Sequence, residues 1–320
     1  MRKLIVGCGY LGRRVARAWI SDGHSVSALT RSSVRAAELS GDGIRPIVGD
    51  ICDPSTLAEL PAADTVLFAV GYDRSSGHSQ QAVYVDGLRN VLQTIACRTG
   101  RLIYVSSSSV YGQSAGEWVD ESSPCRPVQP GGEYCLAAER LVTSYFNTTK
   151  ETFEPAAPTI DPAAAVEANP GRNSSANVLR LSGIYGPGRL LSRVESLRVG
   201  EPLSGRGEAW LNLIHVDDAV RAVRACEELG QPGRTYLVSD DLPIRRAEYY
   251  GLLAELSGAP PPRFNPDSAP ARGSGGINKR CLNRRIREEL GVVLAYPTIN
   301  EGLPQSLQAS AGPTSVPPAG

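Results

Sequence analysis

Gly7, Gly9 and Gly12 stand in the spacing G-x-G-x-x-G, inside the run LIVGCGYLGRRVARAW that begins at Leu4. That spacing has a physical use. The first glycine permits a tight turn, the second lets a pyrophosphate approach the backbone, and the third lets a helix pack on the preceding strand. Tyr10 and Leu11, between the second and third glycines, open that helix. Its free N–H groups and its dipole would hold the anion. Three glycines alone carry little weight in a chain that has 33. The apolar run before them, and the amphipathic run after them (Val15, Ala16, Ala18, Trp19), make the reading specific.

A second chemical clue lies at the end of the next apolar run, where Leu29, Thr30, Arg31 and Ser32 are followed by Arg35. An Asp or Glu at this point would bond the two ribose hydroxyls of NAD. An arginine stands there instead, and its planar fork suits a 2′-phosphate. NADP is the expected cofactor, with NAD as the alternative. The plainer role for Arg31 is a solvated loop charge.

These residues need a scaffold. Apolar runs at 25–31, 45–50, 65–71 and 101–107 read as strands. A helical period at 82–98 places Val83, Leu88, Val91, Leu92 and Ile95 on one face. Strands alternating with helices imply an α/β fold with a doubly wound parallel sheet covered on both faces. A further helix is expected over 134–146. The segment 147–177 loses its hydrophobic period and reads as a surface insertion. The last residues, 304–320, are rich in Pro, Ser and Ala and read as a disordered tail.

Composition narrows the classes. The formal net charge is zero and 41% of residues are hydrophobic. Neither bulk nucleic-acid binding nor an anionic membrane surface is favoured. No apolar run reaches the roughly 20 residues of a membrane span. Met1, Arg2 and Lys3 resemble the start of a signal peptide, but glycines break the following run, so a cytoplasmic location is expected. Seven scattered cysteines without a C-x-x-C pair, and three histidines far apart in sequence, predict free thiols, no disulfide framework and no metal site.

Five further motifs follow the glycine turn in order: GDICD (49–53), VSSSSVYG (105–112), RLSGIYGPGR (180–189), LIHVDDAV (213–220) and YLVSDDLPI (236–244). Together they resemble the extended short-chain dehydrogenases/reductases, in particular the NAD-dependent epimerases/dehydratases that act on nucleotide sugars. The resemblance covers roughly residues 3–303. It implies a Rossmann-type dinucleotide domain over 1–186, to which 212–240 returns. A smaller C-terminal substrate lobe, from 187–211 and 241–303, would complete it. By the same resemblance Asp50 and Ile51 contact the adenine, and Ala69 and Gly71 lie beneath the adenosine ribose. The partner implied is a small molecule such as a nucleotide sugar, and a homodimer is compatible with it.

That family works with a Ser, a Tyr and a Lys, the last two spaced Y-x-x-x-K on one helix. The lysine's charge lowers the tyrosine pKa from about 10, so that a phenolate can take a hydroxyl proton. Ser107, three residues before Val110 of V-Y-G, matches the serine. Its plainer role is to end the strand and bond backbone. Tyr134 is the candidate tyrosine, but the fourth residue on is Ala138. Aligning on Glu139 instead puts Cys135 at the lysine position and Gly131 at the tyrosine position. Neither alignment yields the pair. Tyr134 could equally pack as a first-turn residue. Tyr111 and Arg189 are candidate substrate contacts, with Tyr111 also suited to packing behind the site. His215 reads as structural, with Asp217 as the N-cap of the helix that follows. The chain is therefore expected to be an atypical epimerase, dehydratase or reductase. The alternative is a non-catalytic NADP-binding sensor.

Overall fold

The alternation of apolar strands and amphipathic helices builds one parallel sheet. The computed structural model describes residues 1–146, 174–268 and 277–311. Its seven-stranded sheet comprises β1 (Arg2–Val6), β2 (Ser25–Thr30), β3 (Arg45–Val48), β4 (Ala63–Phe68), β5 (Thr99–Ser107), β6 (Ser175–Leu181) and β7 (Thr235–Val238). They lie in the order β7-β6-β5-β4-β1-β2-β3. Strand β1 pairs in parallel with β2 on one side and with β4 on the other. The winding direction therefore reverses between β1 and β4, and ligands bind at such a point, outside the carboxyl ends of the strands. Near-continuous burial explains the apolar runs: Leu4, Ile5, Val6, Val66 and Leu67 have no solvent exposure.

Helices cover the sheet. They include α1 (Tyr10–Ser21), α2 (Ser33–Gly41), α3 (Gly87–Ile95), α4 (Pro130–Phe146) and α5 (Val216–Leu229), while α6 (Ile299–Ala311) packs with Tyr185 and Tyr250 instead. Helix α1 buries Leu11, Val15, Ala16 and Trp19, the face its period predicts. The helix expected over 82–98 is a composite. It starts as a π-turn at Ala82–Asp86 and ends in a 3-10 turn at Ala96–Arg98. No helix among the described residues is long and apolar enough to cross a membrane.

The chain divides into two compact units. The first is Met1–Ser106, Glu133–Leu179 and Val223–Thr235; the second is Ser107–Gly132, Arg180–Ala222 and Tyr236–Gly320. The first has a core of sheet and helix residues, including Leu4, Val66, Leu88, Leu102 and Ala138. The second packs Tyr185, Leu197, Tyr250, Leu253 and Leu303. It also carries short strand pairs, Glu117–Val119 with Lys279–Cys281 and Gly183–Tyr185 with Leu213–His215.

Three expectations are corrected. Residues 147–173 of the expected insertion lie outside the described residues, but Ser175–Asn177 already belong to β6. The polar Asn177 is tolerated there because its amide donates to the Gln231 carbonyl at 2.6 Å. The expected tail is helical from Pro304 to Ala311. Thr298 and Glu301 cap its start: the Thr298 hydroxyl accepts from Asn300 N–H at 3.1 Å, and the Glu301 carboxylate accepts the Thr298 N–H at 3.0 Å. Leu303 and Ser306 are then fully buried, while Pro304 loses one hydrogen bond near the helix start. Residues 312–320 lie outside the described residues. Asp217 is not the N-cap of α5 but sits in its first turn, where its N–H donates to His215 Nδ1 at 3.3 Å.

One buried ionic cluster ties α5 to the sheet within the first unit. Glu227 accepts hydrogen bonds from Lys3 Nζ, Trp19 Nε1 (2.7 Å) and Thr65 Oγ1 (2.5 Å). Lys3 is only 2% exposed, which also explains why the basic N-terminus is part of a strand. Glu227→Ala would strand a buried ammonium and should cost about 3 kcal/mol by urea unfolding. Replacing both partners, Lys3→Met with Glu227→Leu, should recover most of that loss. A single variant within about 0.5 kcal/mol of the parent contradicts this account of the cluster.

Candidate functional site

At the reversal point the glycines divide the work by geometry. Gly7 has φ +95°, and a Cβ there would lie 2.5 Å from the Ala69 carbonyl carbon. Gly12 is equally constrained, because its Cβ would lie 2.5 Å from the Gly7 carbonyl oxygen. Gly9 differs: nothing lies within 4 Å of a Cβ built on it. The first and third glycines are thus required by the protein's own packing. The second keeps space open beside the start of α1. Gly9 occupies the N-cap with no side-chain cap, and the first helical bond runs from Arg13 N–H to the Gly9 carbonyl at 2.9 Å. The first-turn N–H groups precede this bond and lie at the positive end of the helix dipole.

The surroundings of this turn suit an anion. The Cys8 thiol is pushed up to about 11 by burial, so it carries no negative charge. Leu11 is buried under the turn, and the Arg14 guanidinium lies over the Tyr10 ring at 4.1 Å. Ala69 N–H donates to the Val6 carbonyl at 2.8 Å and carries the β1–β4 pairing up to the turn. Gly71, two residues on, has open space where a Cβ would be.

Arg31 lies at the end of β2, with Nη2 3.3 Å from Asp73 Oδ2. Both side chains are about half exposed, so the pair contributes little and leaves Arg31 available. Ser32 caps α2 by accepting from Arg35 N–H at 3.3 Å. A helix N-terminus therefore opens next to Arg31 and favours an anion at the same place. Sequence reading missed Asp73, which sits in a loop far from Arg31 along the chain.

After β3, the Asp50 Oδ1 accepts the Cys52 N–H at 2.8 Å. The Ile51 carbonyl accepts from Asn90 Nδ2 at 2.8 Å, and the Ile51 side chain packs against Gly87. His78 brings Nε2 to 3.5 Å from Asp50 Oδ2. Asp50, Cys52 and His78 each offer a ligand atom within 4.8 Å of the others, a grouping that histidine spacing could not reveal.

The catalytic candidates divide between the two units. Tyr134 lies on α4 in the first, half-buried. Ala138, one turn on, has no exposure and belongs to the core of that unit. Cys135 is buried beside Tyr84 and Tyr104. Glu139 is buried too and accepts the Ser106 hydroxyl at 2.5 Å. A lysine at 135 or 138 would place its stem among core residues rather than on a wet face.

Ser107 opens the second unit. Its Oγ accepts the Ser109 N–H at 3.1 Å, and the hydroxyl proton stays free to donate. The backbone role and a substrate role are therefore compatible. Tyr111 has no exposure, and its hydroxyl accepts from Arg180 Nη1 at 2.8 Å. Burial raises its pKa despite that cation. Tyr111 is thus held inside the second unit by Arg180. Arg189 is exposed in the turn after Gly183–Tyr185, with its N–H on the Gly186 carbonyl at 3.1 Å. His215 is fully buried, with Nε2 3.0 Å from Gln305 Oε1 and its ring on Tyr185 and Tyr296.

Comparisons with known proteins agree with this geometry. The chain is 28% identical over 304 residues to Protein YeeZ of Escherichia coli K12, covering 93% of this chain and 97% of that protein. It is also 28% identical over 333 residues to a 3-diazoavenalumate denitrifying reductase of Streptomyces, with 95% and 99% covered. Among solved structures, a double mutant of the dTDP-glucose 4,6-dehydratase DesIV of Streptomyces venezuelae, with NAD and DAU bound, superposes with a TM-score of 0.78. It is 22% identical, covers 98% of each chain, and shares the fold. The model of the NAD dependent epimerase/dehydratase family matches residues 4–239. The glycine turn, the parallel sheet wound to either side of it and this match together establish that the chain belongs to the NAD-dependent epimerase/dehydratase family.

Proposed function

We propose that this protein is an NADP-dependent oxidoreductase that moves a hydride to or from a carbonyl carbon of a small molecule, a nucleotide sugar or a related compound. The observation that carries the reading is the open space at Gly9, beside an uncapped helix start, at the point where the sheet reverses its winding. The diphosphate would rest on the first-turn N–H groups of α1, and Arg31 with the start of α2 would receive a 2′-phosphate. The bound dinucleotide would supply or accept the hydride. Ser107 would donate its hydroxyl proton to the substrate oxygen, because its other hydrogen bond already fixes its rotamer. Tyr134 would not serve as an activated phenolate, since the residue one turn on is a buried alanine. The reductase name of the Streptomyces relative supports redox chemistry over a purely sensing role. So does the second unit, which a sensor need not keep.

Titration calorimetry should give an NADPH dissociation constant at least about tenfold below that of NADH, the size of one charge-assisted contact. Arg31→Asp should reverse the order. Equal affinities in the parent protein would overturn the NADP assignment.

Dinucleotide oxidation with carbonyl substrates tests the catalytic roles. Ser107→Ala should lower kcat about 10²-fold, as loss of an oxyanion donor does, with NADPH affinity unchanged. Tyr134→Phe should lower it by less than the roughly 10²-fold that marks a lost general base. A large loss in Tyr134→Phe with a small one in Ser107→Ala would invert the assignment.

A further inference from the structure

Asp50, Cys52 and His78 come together within the first unit from two separate stretches of chain. Asp50 and Cys52 follow β3, and His78 lies in the loop that follows β4. A carboxylate oxygen, a thiol sulfur and a ring nitrogen, one from each residue, all lie within 4.8 Å of one another. The three residues are half-buried, so solvent ions can reach them.

Local hydrogen bonds fix this convergence from both sides. Asp50 Oδ1 accepts the Cys52 N–H at 2.8 Å, which orients the carboxylate and leaves Oδ2 towards His78. The Asp50 N–H donates to Thr56 Oγ1 at 2.9 Å. On the other side, Gly77 has φ +76°, a conformation that glycine adopts without strain, and leads the chain into His78. The Tyr72 hydroxyl donates to the His78 carbonyl at 3.0 Å, and the Tyr72 N–H donates to the Tyr84 hydroxyl at 3.2 Å. The loop is thereby tied to the π-turn Ala82–Asp86, whose Ala82 carbonyl also accepts weakly from the Cys52 thiol at 3.6 Å.

The spacing inside the group is informative. His78 Nε2 stands 3.5 Å from Asp50 Oδ2. A direct N–H···O bond would close to about 2.7–3.2 Å. Two ligands of one tetrahedral zinc, each at about 2.0–2.1 Å from it, stand about 3.3 Å apart. The observed separation lies nearer to the second arrangement.

We propose that Asp50, Cys52 and His78 bind one zinc ion, with water completing the coordination. The donor set selects the metal. A thiolate and an imidazole favour zinc, whereas magnesium and calcium prefer oxygen alone. Charge also balances: one carboxylate and one thiolate neutralise the dication, the imidazole binds neutral, and the thiol proton leaves to solvent. Three protein ligands leave the fourth tetrahedral position open. The proposal is independent of the oxidoreductase reading.

The test uses the full-length protein freed of metal, with zinc, cobalt(II) and magnesium ions as probes. Calorimetry should show one zinc bound per chain, which magnesium at equal concentration does not displace. Cobalt(II) should give a thiolate-to-metal charge-transfer absorption in the near ultraviolet. Cys52→Ser should abolish that absorption. Loss of an outer partner of a metal ligand costs about 10–100-fold in affinity, so Cys52→Ser and His78→Ala, which each remove a ligand, should weaken zinc at least about 100-fold. Cys97→Ser, which removes an exposed thiol elsewhere, should bind as the parent does. Circular dichroism checks each fold, and His78→Gln replaces any variant that fails to fold. A parent that binds no zinc overturns the proposal. So does a cobalt absorption that survives in Cys52→Ser or vanishes in Cys97→Ser, or a folded His78 variant with the parent's zinc affinity.

Discussion

The approach of the Gly7 backbone to the Ala69 carbonyl is the constraint on which the dinucleotide turn depends. Neighbouring strands β1 and β4 end side by side, and the chain must leave β1 directly over the end of β4. Only a residue without a Cβ fits, in a left-handed conformation that glycine adopts without strain. From that turn Gly9 begins α1 with uncapped N–H groups, and Gly12 seats the helix on the turn's own carbonyl. Burial keeps Cys8 neutral inside this loop, so the protein places no anion where the ligand's charge would go. Helix dipole, a helix start without a side-chain cap and open space then coincide at the reversal point of the sheet.

Helix α4 turns into the core the positions at which the sequence reading sought a lysine. On α4, the positions that could carry the lysine are inward-facing, with Ala138 in the core and Cys135 against Tyr84 and Tyr104. The same helix spends its one buried acid, Glu139, on Ser106 at the end of β5. That bond anchors the strand from which the serine run emerges. Helix α4 thus serves as a support for the sheet of the first unit.

Much of the first unit was legible in the sequence. Glycine spacing, apolar runs and the face of α1 each follow from a short-range rule, and the order of the motifs fixed the winding. Three features were not legible because they arise from contacts distant in sequence. Asp73 reaches Arg31, and His78 reaches Asp50, from loops with no period. Lys279 stands in a basic stretch, NKRCLNRRIRE, that reads as a solvated face until strand pairing turns alternate residues inward. The tail was misread for a different reason. Its Pro, Ser and Ala content outweighed the Thr298 and Glu301 capping residues, a local signal that was present all along.

The most direct measurement is NADPH binding by calorimetry to Gly9→Val beside the parent. Nothing lies within 4 Å of a Cβ at Gly9, so the variant should keep the parent's melting temperature and circular dichroism. Its valine would occupy the space reserved for the diphosphate, and affinity should fall by at least about 100-fold, about 2.7 kcal/mol. A folded Gly9→Val that binds NADPH as the parent does would contradict the account, because the anion would then rest elsewhere.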